Sequence, residues 1–197
     1  PMEFGWGRAY GIAGVATRPH RQGEGHAGKL LERVHKEAKR MGEGAALLLA
    51  KRLDLYDRLG FESLDRVVRA PLATIPEGDI PPPMHVEEVR AMYAAWADGH
   101  EDRLRRDRRR WTLWKWHFRE CTPFVDGYLC FENDTLREGI WSHPQAALPL
   151  PAGTEFFGTT LIADMLELPF AAPPTVELHL MGRDVPGVPQ LFMTDQF

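Results

Sequence analysis

The stretch Arg21 to Leu31, RQGEGHAGKLL, sets glycines at 23, 25 and 28 immediately ahead of a Leu-rich run of helical spacing. A glycine-rich turn at a helix N-terminus aims free backbone N–H groups at one point, with the positive end of the helix dipole behind them. The chemistry this suits is the holding of an anion such as a phosphate. The alternative reading is a turn whose glycines merely let a strand and a helix pack closely. Gly23, Gly25 and Gly28 satisfy the glycine part of the dinucleotide fingerprint GxGxxG. Leu48, however, stands where an acid is expected, and the run Ala45 to Ala50 leads into Lys51-Arg52 where a ribose-binding acid belongs. The GK[ST] of a P-loop is absent as well. His20 and His26 flank the loop and read as surface histidines near a phosphate rather than as catalytic groups.

A second concentration of chemistry lies at Arg103 to Arg110, six arginines against Asp107, followed by Trp111, Trp114 and Trp116. Arginines contact phosphates and aromatic rings stack on bases, so a nucleic-acid-binding module is one reading. The favoured one is a helix whose arginines are solvated or paired with Glu87, Glu88 and Asp102 while its tryptophans pack on a core. The formal charge of the chain is −4 and that of this run +5, so everything else sums to −9 (−4 minus +5). No basic surface spans the protein, which argues against nucleic acid as its partner. Cys121 and Cys130 match neither a CxxC redox pair nor a zinc-ligand pattern, and they read as buried, reduced thiols with no metal.

The elements that must position the glycine loop follow from the apolar pattern. Tyr10 to Thr17, YGIAGVAT, reads as a strand covered on both faces. From His26 to Met41 the residues Leu30, Leu31, Val34, Ala38 and Met41 recur at helical spacing, with charged residues between them and Gly42 as the stop. Ala45 to Ala50, AALLLA, reads as a buried strand, so strand, loop, helix and strand make one βαβ unit with a parallel pair. A short helix over Asp54 to Leu59 and a strand over Phe61 to Arg69 follow.

The 16 prolines and 18 glycines indicate much loop, and the five prolines and one glycine of Pro71 to Pro83, PLATIPEGDIPPP, read as a stiff connector. The domain expectation is therefore residues 1–70, a linker at 71–84, and a second unit over 85–197. In that unit a helix starts near His85, and strands over Phe124 to Glu132 and Leu136 to Ser142 are joined by a polar hairpin turn at Asn133-Asp134-Thr135. A helix near Thr160 to Leu168 and a strand near Thr175 to Met181 complete the pattern. No apolar run reaches the ~20 residues that span a bilayer, and PMEFGWGRAY lacks the order of a signal peptide, so a cytoplasmic protein is expected.

Gln22-Gly23-Glu24-Gly25-His26-Ala27 resembles the [QR]xxGx[GA] loop of the GNAT superfamily of N-acetyltransferases, and Leu30-Leu31 stands where that family's helix carries a Leu pair. The likeness continues in the family's order through GIAGVAT, PHRQGEGHA, ALLLA and LYDRLGFE. Within the family the chain resembles the Eis-like aminoglycoside acetyltransferases. MYAAWADGHEDRLRRDRRRW followed by GYLCFE is similar to the start of their middle domain, and the aromatic Phe197 matches their aromatic end. Eis-like chains are longer and carry more secondary structure before the glycine-loop strand, so a truncated or partial version of that architecture is expected.

The resemblance implies an α+β fold: a GNAT-like mixed sheet with flanking helices, arranged as two acetyltransferase-like units. It implies acetyl-CoA as cosubstrate, held by the loop residues Gln22, Gly23, Glu24, Gly25, His26 and Ala27 and by backbone at Val15, Ala16 and Thr17. It gives Tyr56 the role of acid toward the departing sulfur and the Phe197 carboxylate that of base toward the amine. The acceptor implied is a primary amine, an aminoglycoside or a lysine side chain, with a homo-oligomer as a compatible assembly. The runner-up function is a non-catalytic CoA-binding protein.

Overall fold

The computed structural model of the chain describes residues 1–75, 82–117, 121–143 and 145–195. Nine strands form one mixed sheet in the order β1-β2-β3-β9-β4-β8-β7-β6-β5. In chain order these are β1 (Met2–Phe4), β2 (Gly7–Ile12), β3 (Ala45–Ala50), β4 (Glu62–Pro71), β5 (Cys121–Phe124), β6 (Gly127–Glu132), β7 (Thr135–Ile140), β8 (Glu155–Thr159) and β9 (Thr175–Arg183). The helices are α1 (His26–Arg40), α2 (Asp54–Asp57), α3 (Val86–Asp98), α4 (Arg108–His117) and α5 (Thr160–Met165). The expected α+β class with a mixed sheet and flanking helices is the fold observed.

The run AALLLA is apolar at every position because β3 is paired on both sides and covered on both faces. It runs parallel to β2, with Ile12 opposite Leu48, and antiparallel to β9, with Ala50 opposite His179. Ala46, Leu48 and Ala50 point to the face that carries α1 and α2, where Tyr10, Ala38, Tyr56, Phe61 and Met181 complete a cluster. Ala45 and Leu47 point the other way, onto Met2, Phe4, Leu104 and Leu191. Leu47 and Leu48 are 0% and 1% exposed, and full burial of each leucine is worth about 1.5–3 kcal/mol. This strand is the rigid floor from which the loops around it are hung.

The strand β9 lies between β3 and β4, so the end of the chain completes the sheet that its beginning opens. One sheet takes in strands from both sides of the proline-rich segment, with register shifts in the β4–β9 and β6–β7 pairings; residues 76–81 of the expected linker lie outside the described residues. The largest core cluster gathers Val89, Tyr93, Trp111, Trp114, Tyr128, Leu136 and Phe156 between α3, α4 and the β5–β8 strands.

Three sequence expectations shift. The strand expected over Tyr10 to Thr17 is β2 at Gly7–Ile12, because pairing with β3 ends at Leu48 and Gly14 turns the chain at φ 65. A hairpin strand that the pattern did not show, β5, precedes β6 through a two-residue turn at Val125-Asp126. The arginine run is not helical throughout: α4 begins only at Arg108.

Candidate cofactor cleft

Beyond Ile12 the chain leaves β2 and the sheet while β3 continues to Ala50, and the two segments part around an open cleft of about 790 Å³. One wall is the irregular segment after β2, with Gly14, Val15 and Thr17. The second is the loop and first turn of α1, with Gln22, Gly23, Gly25, His26, Ala27 and Gly28. The third is the end of β3 and α2, with Lys51, Arg52, Tyr56 and Arg58. An adjoining recess of about 630 Å³ runs along Ala16, Leu30, Leu31 and Val34.

The loop glycines are dictated by backbone conformation. Gly23 and Gly25 have φ of 85 and 76, and a Cβ at either position would meet no protein atom within 4 Å. Their left-handed geometry excludes most side chains, and the space beside them is left to whatever enters the cleft. Gly25 is the N-cap of α1; no side chain caps the helix and no acid stands in its first turn. The first-turn N–H groups therefore point toward the cleft with the helix dipole behind them, which is what a pyrophosphate requires. The residues present fit the diphosphate of acetyl-CoA.

The side chains around the loop hold one another. Gln22 donates through Nε2 to the Thr17 carbonyl at 3.3 Å, tying the loop to the wall across from it. Arg21 Nε donates to both oxygens of Glu24 at 2.8 and 2.9 Å, and His26 Nε2 lies 2.9 Å from Glu24 Oε2. Arg21 first and His26 second hold the Glu24 carboxyl below its ordinary range. All three side chains are exposed, so the shift marks the pairing rather than a large stabilisation. Of the loop residues expected at the cofactor, Glu24 alone lines neither cavity; its carboxylate is turned to Arg21 and His26.

Tyr56 stands on α2, a single turn carried by Leu53 and closed by Gly60 at φ 77. Its ring meets Phe61 edge-on, centroids 6.0 Å apart, and burial pushes its hydroxyl pKa up. The structure thus brings Tyr56 to the same cleft as Val15, Thr17 and the glycine loop. Phe197 lies outside the described residues. The cations Lys51, Arg52 and Arg58 were not among the expected site residues, although the Lys51-Arg52 pair at the end of an apolar strand was a legible signal. Arg52 is held by Asp54 at 3.0 Å.

The arginine run divides: Arg108 and Arg109 are exposed, and the partners of Arg103, Arg105 and Arg106 are not the expected Glu87, Glu88 and Asp102. Arg103 donates to the Trp96 carbonyl and to Gln190 while stacking over the Trp96 ring at 4.7 Å, and Arg105 pairs with Asp98. Arg106 is fully buried against Glu138 and Asp195. Trp111 and Trp114 pack in the core, as the favoured reading had it; the side chain of Trp116 lies outside the described residues. Among the described residues no group of three His, Cys, Asp or Glu side chains could hold a metal ion, and no helix is long and apolar enough to cross a membrane.

Residues 5–64 match the family model of the acetyltransferase (GNAT) domain. No curated protein matches the chain. Among solved structures it is similar to a GCN5-related N-acetyltransferase from Kribbella flavida, at 16% identity and a TM-score of 0.65 over 92% of this chain and 54% of that one. It is similar also to Eis1 from Mycobacterium abscessus, at 18% identity and a TM-score of 0.56 over 92% and 58%. A GCN5-related N-acetyltransferase from Anabaena variabilis aligns at 18% identity and a TM-score of 0.53 over 92% and 56%. The chain spans little more than half the length of these structures, and at such identities the likeness concerns the fold. Residues 5–64 thus match the acetyltransferase (GNAT) domain, and the chain as a whole shares the fold of GCN5-related N-acetyltransferases.

Proposed function

We propose that the chain is an N-acetyltransferase that takes the acetyl group of acetyl-CoA and passes it to a primary amine, with an aminoglycoside or a lysine side chain as the acceptor class. The observation that carries this reading is that Tyr56 and the glycine loop, some thirty residues apart in sequence, line one cleft. Acetyl-CoA supplies a thioester whose carbonyl carbon accepts the amine nitrogen and whose sulfur leaves with the bonding pair. The chain's own residues do the rest.

The N–H groups of Gly25 to Gly28 hold the diphosphate, and backbone at Val15 to Thr17 orients the arm that ends in the thioester. Lys51, Arg52 and Arg58 add positive charge along the wall. Tyr56, a phenol and so protonated at neutral pH, gives its proton to the departing sulfur. The neutral amine sheds one proton to solvent as the C–N bond forms, and the Tyr56 phenolate regains one from solvent, so amide and free thiol are the products and the transfer is balanced.

Calorimetry with acetyl-CoA, followed by a thiol-release assay over polyamines, aminoglycosides and lysine peptides, tests the reading. Micromolar binding with turnover on one class supports it. Absence of binding to folded protein overturns it, and binding without turnover on any amine gives the cleft to a non-catalytic CoA-binding protein.

A further inference from the structure

Outside the cleft, the two cysteines stand as a directly opposed pair across the β5–β6 hairpin: Cys121 faces Cys130 in register. The kind of pairing can be read from three features. The two-residue turn at Val125-Asp126 closes on Phe124 opposite Gly127, which makes that a hydrogen-bonded pair and, by alternation, makes Pro123–Tyr128 and Cys121–Cys130 non-hydrogen-bonded pairs. Pro123, which has no N–H, sits where the ladder asks for none. The Cys121 carbonyl points away from β6, accepting from the Met84 N–H at 2.9 Å, as a residue of a non-hydrogen-bonded pair does.

Directly opposed residues of such a pair have Cα atoms about 4.5 Å apart and side chains on one face. A disulfide needs a Cα separation of about 4.4–6.8 Å with converging side chains. Both cysteines are free and buried, at 3% and 0% exposure. Access comes from the edge of the sheet: β5 ends the strand order, so the hairpin opens by parting from β6 and releasing the Met84 N–H from the Cys121 carbonyl.

We propose that Cys121 and Cys130 are a redox-active dithiol that closes to an intramolecular cross-strand disulfide when the protein meets a small-molecule disulfide such as oxidised glutathione. One cysteine, as thiolate, attacks a sulfur of the oxidant and releases one glutathione thiol. The second cysteine, deprotonated in turn, attacks the mixed disulfide and releases the other. Two electrons pass to the oxidant and the two cysteine protons end on the two glutathione thiols. The staple closes the hairpin that carries Tyr128, whose hydroxyl donates to Glu138 and so forms part of the wall around buried Arg106.

The test is to hold the folded, reduced chain against graded ratios of oxidised to reduced glutathione, quench with acid, and count thiols after denaturation. Two thiols per chain should fall to none in one cooperative step, with the mass of a monomer lighter by two hydrogens and a peptide linking positions 121 and 130. Dithiothreitol should return both thiols. In Cys121→Ser, Cys130 should end as a glutathione adduct or stay reduced, without a monomeric disulfide. Thiols that stay reduced in the wild type at the most oxidising ratio, adducts on single cysteines, or dimers joined through them would each overturn the proposal. Acetyl transfer is not used as a readout, so the outcome is independent of the proposed activity.

Discussion

The Tyr10 hydroxyl lies 2.7 Å from Nδ1 of His35, joining β2 to the inner face of α1. Nε2 of His35 lies 3.1 Å from Asp184 Oδ2, just past the end of β9, and Lys39 holds the same carboxylate at 2.6 Å. With the ring neutral, Nδ1 accepts from the Tyr10 hydroxyl while Nε2–H donates to Asp184. Burial first, then Arg183 and Lys39, depress the His35 pKa against the opposing pull of Asp184. Burial likewise pushes the Tyr10 hydroxyl up to about 12, with Arg183 opposing and Glu32 and Asp184 adding to the rise.

A pH dependence of stability follows. With the folded pKa below the unfolded value of 6.5, the unfolded chain binds the proton first. The contribution is intact above that value and is lost as pH falls from it toward the folded pKa, by at most about 1.4 kcal/mol per pH unit. Urea unfolding between pH 7.5 and 5.5 should show the loss. It should be smaller in His35→Gln, which is destabilised at pH 7.5 but has no ring to protonate; an equal slope in both proteins would assign the loss to other groups.

Gly25→Val puts a β-branched side chain at φ 76, where the strain is about 1–3 kcal/mol, and fills the space that the proposed function gives to the diphosphate. Gly25→Asn tolerates that φ and isolates the second effect. Both variants should bind acetyl-CoA at least tenfold more weakly by calorimetry, with the valine variant also less stable. Wild-type affinity in the folded asparagine variant would remove Gly25 from the diphosphate site.

Tyr56→Phe keeps the edge-on contact with Phe61 and removes only the hydroxyl. Loss of a general acid costs about 100-fold to 10,000-fold in rate. The variant should bind acetyl-CoA normally and turn over slowly, and single-turnover kinetics beside calorimetry separates the two. Wild-type turnover with chemistry shown to be rate-limiting would make Tyr56 a packing residue.

Arg106 meets Glu138 at 2.6 Å and Asp195 at 2.7 Å, while Trp114 Nε1 donates to Glu138 and the Tyr93 ring lies 3.8 Å from the guanidinium. Arg106→Met strands two buried carboxylates, which costs about 3–5 kcal/mol. Urea unfolding should show that loss, and Glu138→Gln in the same background should restore part of it. A variant as stable as wild type would mean that the carboxylates find other partners.

The glycine loop, the amphipathic helix α1 and the strand AALLLA were legible in the sequence because each is governed by neighbours within a few residues. Helical spacing of Leu31 and Ala38, continuous apolarity at Ala45 to Ala50, and the intolerance of left-handed φ for side chains at Gly23 and Gly25 are local physics written in residue type. Tyr56 became a candidate through a motif, and its place in the cleft needed the splay of β2 from β3. What only the tertiary structure decided are relations between distant segments. Nothing local in Thr175–Arg183 says that it pairs between β3 and β4, because strand pairing rewards partners over a hundred residues away. Arg106 reads as one more cation of a solvated run, because a buried charge is recognised only by the carboxylates brought to it from positions 138 and 195. The cysteine pairing was hidden for the same reason: spacing along the chain does not report register, and register is set where the hairpin turns.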